Sequence, residues 1–231
     1  FDFSDVPALG GTINNDDRDR TQAELGVRIG HVLDSGAELF VQGSYDNRDY
    51  DNLLDDFGYR RNSEGFAAVG GIRHTFSPRL SGEIFVGYMH QDYDDFRLSD
   101  ISAMDFGAAL NWRGSDGLSA ALRVERSIEE TTLPGASAYI LTSGSLSLRS
   151  TVASRLSAGF DLRGSHYDYQ GDARSEFVTG ANLWGRYWFQ RHLFFGVEYN
   201  LAQRSSNAAG FDYDRNRFLF RLGAQLRPGF A

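Results

Sequence analysis

The chain has 231 residues, no cysteine, and a formal charge of −8 from 23 basic against 31 acidic side chains. These values allow one large domain or two small ones, exclude a disulfide framework or thiolate metal site, and argue against a nucleic-acid binder, which would carry a basic surface. At 41% hydrophobic and 14% aromatic residues the chain is too apolar to stay disordered, yet no run of 18 apolar residues offers a transmembrane helix.

All 23 basic residues are arginine. A GC-rich genome accounts for this, and planar guanidinium forks also suit ladders of charge against facing carboxylates. The opening FDFSDVPALGG lacks a signal-peptide pattern and reads as a mature or truncated start. Residues 1–20, with Pro7, Gly10 and Gly11, lack sustained alternation and read as irregular or as the end of an upstream strand.

From residue 22 onward a period of two replaces helical spacing. Residues 22–30 set Ala23, Leu25, Val27 and Ile29 against Gln22, Glu24 and Arg28. The same split recurs at 37–46, 80–89, 104–113, 118–127 and 155–165, and less cleanly at 63–76, 138–149 and 176–189. Residues 193–204 and 217–227 close the series, the last setting Phe218, Phe220, Leu222, Ala224 and Leu226 against Arg217, Arg221, Gly223, Gln225 and Arg227. That makes about eleven strands, most long enough for the roughly 9–11 residues that cross a bilayer at a tilt. The second face is rich in Gly and Ser beside Arg and Glu, which suits a crowded, hydrated interior with lipid outside.

Connections alternate in length. Those at 34–36, 77–79, 114–117, 150–154 and 190–192 are short; those near 50–62, 93–100, 131–137, 168–175 and 205–214 are long, acidic and aromatic. Short turns at one end and long loops at the other are the layout of an outer-membrane barrel, so the predicted fold is an all-β, antiparallel transmembrane β-barrel of 11–12 strands in one domain over 1–231. An even number is the bacterial rule, so a twelfth strand is expected from residues 1–13 or from sequence further upstream. Twelve strands give a backbone radius of roughly 12 Å, enough for a narrow charge-lined lumen and too small for a wide bore.

Two sets of functional residues follow. Tyr45, Tyr88, Trp112, Tyr187, Trp188 and Tyr199 lie toward strand ends, where interfacial girdles sit. The lumen-facing set is Glu24, Arg28, Glu83, Arg123, Glu125, Asp161, Arg163, Arg186, Glu198, Arg217 and Arg221, with Glu38 and Arg73 beside them. Its mixed signs read either as a track selecting charged or sugar solutes, or as a salt-bridge lattice; closed Arg123–Glu125 and Asp161–Arg163 pairs would mark a plugged, structural barrel.

No catalytic, cofactor or metal site is expected. The Asp-rich loops lack the DxDxDG calcium spacing and read as solvated surface loops that gate the outer mouth. The five histidines form no HExxH motif, and no Ser sits in a GxSxG elbow. The best cluster, Ser165-His166-Tyr167-Asp168, falls on a strand where Ser165 and His166 point to opposite faces.

The segments RLSAGFDLRGSHYDYQGDARSEFVTGANLWGRYWFQRHLFFGVEY and EYNLAQRSSNAAGFDYDRNRFLFRLGAQL, with their units of strand, short turn, strand and acidic aromatic loop, resemble the β-barrel porin type-2 family of Gram-negative outer-membrane proteins. The resemblance is strongest over the C-terminal half. It implies an outer-membrane location, contact with lipid and lipopolysaccharide, insertion by the barrel-assembly machinery, a homo-oligomer or a place in an envelope assembly, and a link to exopolysaccharide export. Barrel proteins commonly end in an aromatic residue; here RPGFA follows the last strand, with Phe230 penultimate.

Overall fold

The computed structural model describes residues 6–8, 11–13, 18–115 and 117–224. Two short strands, β1 (Val6–Ala8) and β2 (Gly11–Ile13), form a small hairpin sheet of their own. They do not join the main sheet, so the stretch considered for a twelfth strand takes another form where it is described. The rest of that stretch, the end of the 217–227 strand and the C-terminal RPGFA lie outside the described residues.

Among the described residues eleven long strands make the main sheet in strict sequence order. They are β3 (Arg20–Val32), β4 (Glu38–Tyr50), β5 (Ser63–Ser77), β6 (Leu80–Tyr93), β7 (Ile101–Arg113), β8 (Ser119–Glu130), β9 (Ala138–Ala153), β10 (Leu156–Gln170), β11 (Ser175–Trp188), β12 (Leu193–Ser206) and β13 (Tyr213–Ala224). Each runs antiparallel to its neighbours. Among the described residues β3 and β13 are edges and do not pair with each other. The short turns are tight; Gly36 closes one with φ 79°, where the Leu33 carbonyl accepts from its N–H at 2.8 Å.

Register carries the two faces from strand to strand. Leu25 pairs with Tyr45, Tyr45 with Phe66, and Phe66 with His90. Val27, Val41, Ile84, Val86, Leu122, Leu183, Phe218 and Phe220 fall on that same face and remain exposed, Ile84 at 58%. An exposed apolar band of this extent does not belong in water. From Met104, beside Tyr88, to Trp112 on β7 is roughly 27 Å along the strand, or about 21 Å along the normal at a tilt near 40°. That approaches the roughly 25 Å apolar band of transmembrane barrels.

The other face is concave. Arg28 on β3 reaches Glu83 on β6 with two hydrogen bonds of 3.2 Å, although three strand spacings in a flat sheet come to roughly 14 Å. Side chains stand off a sheet, so the strands must curl around this face for the pair to meet. Four aromatics on it lie directly opposite glycines: Phe40 by Gly71, Phe85 by Gly107, Trp184 by Gly159 and Phe194 by Gly223. In each pair a Cβ added to the glycine would collide with the ring. The rings thus fill space on the inner face that only a missing side chain leaves open.

The apolar core lies at the long-loop end. Met89, Tyr93, Leu98, Ile101, Ile128, Ala138 and Ile140 form one buried cluster. β8 pairs with β7 only from Ser119 to Glu125, while its pairing with β9 continues to Glu130. Beyond Glu125 the β8–β9 hairpin therefore leaves the wall. It packs Ile128 and Ile140 against the inward-facing Met89, Tyr93 and Ile101 of β6 and β7.

Candidate functional site: the charged interior and its mouth

All the lumen-facing residues expected from the sequence share the inner face by register. Glu24, Arg28 and Glu83 lie on β3 and β6; Arg123, Glu125, Asp161 and Arg163 on β8 and β10; Arg186, Glu198, Arg217 and Arg221 on β11–β13. They divide into two groups by partner. On β3–β6 Arg28, Arg73, Glu38 and Glu83 neutralise one another. Glu83 accepts from Arg28 and, at 2.6 Å, from Arg73 Nε, while Glu38 lies 3.4 Å from Arg73 and 3.8 Å from Arg28.

On β8–β13 the Arg123–Glu125 and Asp161–Arg163 pairs that would mark a plugged barrel do not form among the described residues. Neighbours two apart on one strand stand side by side, and each carboxylate finds a hydroxyl across the ladder instead. Asp161 accepts from Ser147 Oγ at 2.6 Å and Glu125 from Ser143 Oγ at 3.3 Å. Arg221 meets Glu198 at 3.3 Å, and Arg186 lies over the Phe194 ring at 4.5 Å. A cavity of about 510 Å³ lined by Arg73, Glu83, Asn111, Arg123 and Glu125 sits on the inner face. A second, of about 540 Å³, is lined by Asn111, Arg113, Ser147 and Arg149.

Of the aromatics expected at strand ends, Tyr45, Tyr88, Trp112, Tyr187 and Tyr199 lie on the exposed apolar face. Tyr45 Oη donates to Glu64 at 2.8 Å, Tyr88 Oη to Ser102 at 2.7 Å and Tyr199 Oη to Asn216 at 2.7 Å. Trp188 corrects the expectation. It follows Tyr187 directly and so points to the inner face, where its ring lies 5.0 Å from Phe194. Alternation also separates Ser165 from His166, whose Nε2 lies 2.9 Å from Ser175 Oγ on the outer face.

The long loops hold a constellation that composition did not reveal. Rather than standing in solvent, Asp55 and Asp95 are only 7% and 4% exposed. Asp55 accepts from the N–H groups of Phe57 and Tyr59 and from Arg61 Nε at 2.8 Å. Arg61, 1% exposed, donates onward to the carbonyls of Ala136 at 2.7 Å and Leu133 at 3.3 Å, at the tip of the β8–β9 hairpin. Lower on the hairpin Glu130 is taken by Arg48 and, at 2.6 Å, by Tyr50 Oη, both on β4. Arg48 also donates to the Ile128 carbonyl at 3.4 Å.

A third loop joins the same cap. Asp95 accepts from the Arg60 N–H at 2.9 Å and from Arg97 Nε at 2.8 Å, and Arg97 reaches the Gly58 carbonyl and covers the Tyr59 ring at 4.3 Å. The Arg97 guanidinium, helped by backbone donors, holds the Asp95 carboxyl well below the usual carboxylate range, against the penalty of its burial. The expectation of solvated loops fails at Asp55 and Asp95, where an arginine beside each lets the paired charges leave water together, while the loop residues around them stay largely exposed. Among the described residues no three His, Asp or Glu side chains converge as a metal site requires.

The inner face is therefore polar and charged, the outer face apolar, and one end is capped by interlocked loops. No curated protein matches the chain. The family described as Putative beta-barrel porin 2 matches residues 1–226, and the long antiparallel strands in sequence order, polar on one face and apolar on the other, accord with it. The chain belongs to this β-barrel porin family, whose members are built as membrane-embedded barrels.

Proposed function

We propose that the protein is a porin of the bacterial outer membrane, passing small hydrophilic solutes through its charged interior, with the β8–β9 hairpin narrowing the mouth. One observation carries this reading: the strands put a largely apolar face outward and an Arg-, Glu- and Ser-lined face inward on one curled sheet. The outward face suits lipid. Tyr45 and Tyr88 toward the long-loop end, and Trp112 and Tyr187 toward the short-turn end, mark the two interfaces. The inward face suits water, because its side chains offer donors and acceptors along the whole wall.

The inturned hairpin sets the size of the solute. With Ile128 and Ile140 packed on Met89 and Ile101, a small solute can pass beside the tip, whereas a polysaccharide would need it to swing out. The contact residues of this function are Glu24, Arg28, Glu83, Arg123, Glu125, Asp161, Arg163, Arg186, Glu198, Arg217 and Arg221. The partners are outer-membrane lipid and lipopolysaccharide, with the barrel-assembly machinery acting during insertion.

Liposome swelling with neutral sugars of increasing size tests the reading. Entry of mono- and disaccharides with exclusion of larger oligomers supports it. No swelling from a barrel shown folded by heat-modifiable gel mobility contradicts it. That outcome favours the second reading, a plugged scaffold within an envelope assembly, for which the buried Arg61 tether of the hairpin is the supporting observation.

A further inference from the structure

The inner face is electrically lopsided. On β3–β6 the arginines are spoken for: Arg28 and Arg73 by Glu38 and Glu83, and Arg48 by Asp46 and Glu130. On β9–β13 below the mouth, Arg149, Arg163, Arg186, Arg215, Arg217 and Arg221 face only Asp161 and Glu198. Of these six, Arg221 alone has a carboxylate partner among the described residues. Asp161 is occupied by Ser147 and Asn182, so it bonds to no guanidinium.

Register orders these arginines into a stair. Arg186 and Arg221 share a row through Gly196; Arg149 stands one row higher, opposite Gly159. Arg217 follows in the row of Asp161, Asn182 and Asn200, and Arg163 and Arg215 in the row of Gly180 and Ala202. Rows two residues apart rise by roughly 7 Å. A solute moving along this wall meets a new guanidinium at every step, and each fork matches a carboxylate or phosphate oxygen pair. Repeated weak sites of one sign give passage with selectivity, since no single site holds the ion for long.

From this we infer that the conduit is anion-selective, carrying chloride and small carboxylate or phosphate solutes along the β9–β13 wall. The inference rests on the conduit reading above and adds the class of solute to it.

The test uses the full-length protein in a planar bilayer under a potassium chloride gradient, with an Arg163→Gln/Arg217→Gln variant beside it. The expected reversal potential lies on the chloride side for the wild type and moves toward zero in the variant. Inorganic phosphate is expected to reduce the wild-type chloride current and to act more weakly on the variant. If the double variant does not show folded-barrel gel mobility, each single substitution is measured in its place. A conducting, cation-selective wild type overturns this inference and leaves the conduit standing. Anion selectivity unchanged by the substitutions overturns the arginine stair as its source. A folded barrel with no current overturns both readings.

Discussion

Arg61 donates to Asp55 at 2.8 Å and to the Ala136 carbonyl at 2.7 Å, so one buried guanidinium fastens the β4–β5 loop to the tip of the β8–β9 hairpin. Removing it leaves the Asp55 carboxylate buried and unpaired, which costs about 3–5 kcal/mol in comparable pairs. The loss falls on the cap, because the strands below keep their ladders. Arg61→Ala is expected to make residues 131–137 cleavable by protease in the folded barrel, and Arg61→Lys to rescue only weakly, since an ammonium cannot serve the same fan of acceptors. Limited proteolysis checks both.

The Trp184 ring covers Gly159 so closely that an added Cβ would lie 2.5 Å from it. Gly159→Ala must push the indole out of place, with a cost of about 1–3 kcal/mol typical of overpacking. The expected result is a lower unfolding temperature with the heat-modifiable barrel still formed. Gly185→Ala on the next strand, where a Cβ meets nothing, is the neutral comparison.

Ile84 is 58% exposed in the middle of the outer face. Arginine there must sit in hydrocarbon, at about 2–4 kcal/mol near the midplane. Ile84→Arg is expected to lower the folded yield in lipid vesicles, while Gln42→Arg, on the inner face of β4, folds normally. Equal yields would contradict the assignment of faces.

Asp95 gives the cap a defined response to acid. Its carboxyl lies well below the usual carboxylate range, so it binds its proton less readily folded than unfolded. The stabilisation is therefore complete above the ordinary value near 3.9 and is lost as pH falls through the lower, folded value. Amide exchange in residues 94–100 is expected to stay slow at pH 4 and to quicken only in stronger acid. Asp95→Asn, which leaves Arg97 without its carboxylate, is expected to exchange quickly at neutral pH.

The wall was legible because alternation is a local property. Leu25, Val27 and Ile29 against Glu24 and Arg28 fix a face wherever the strand sits, and register then carries that face across the sheet. Trp188 departs from the strand-end pattern because its parity beside Tyr187 turns it inward. The cap was not legible. Asp55 and Arg61 lie in the β4–β5 loop and Ala136 in the β8–β9 turn, and only the curl of the sheet brings the two segments within hydrogen-bond reach. A signal was present in the acidic loops all the same: Arg61 and Arg97 stand beside the Asp runs they neutralise, where a purely solvated loop needs no counter-charge. The inward turn of the β8–β9 hairpin is visible only as Ile128 and Ile140 continuing an apolar pattern past the end of the wall.

Single-channel recording tests most directly the central claim, a conduit whose mouth is narrowed by the tethered hairpin. The wild-type protein in a planar bilayer is predicted to give small discrete steps, and Arg61→Ala larger ones. Silence from both proteins, with each shown folded by heat-modifiable mobility, would contradict the conduit; equal steps from the two would contradict the tether as its constriction.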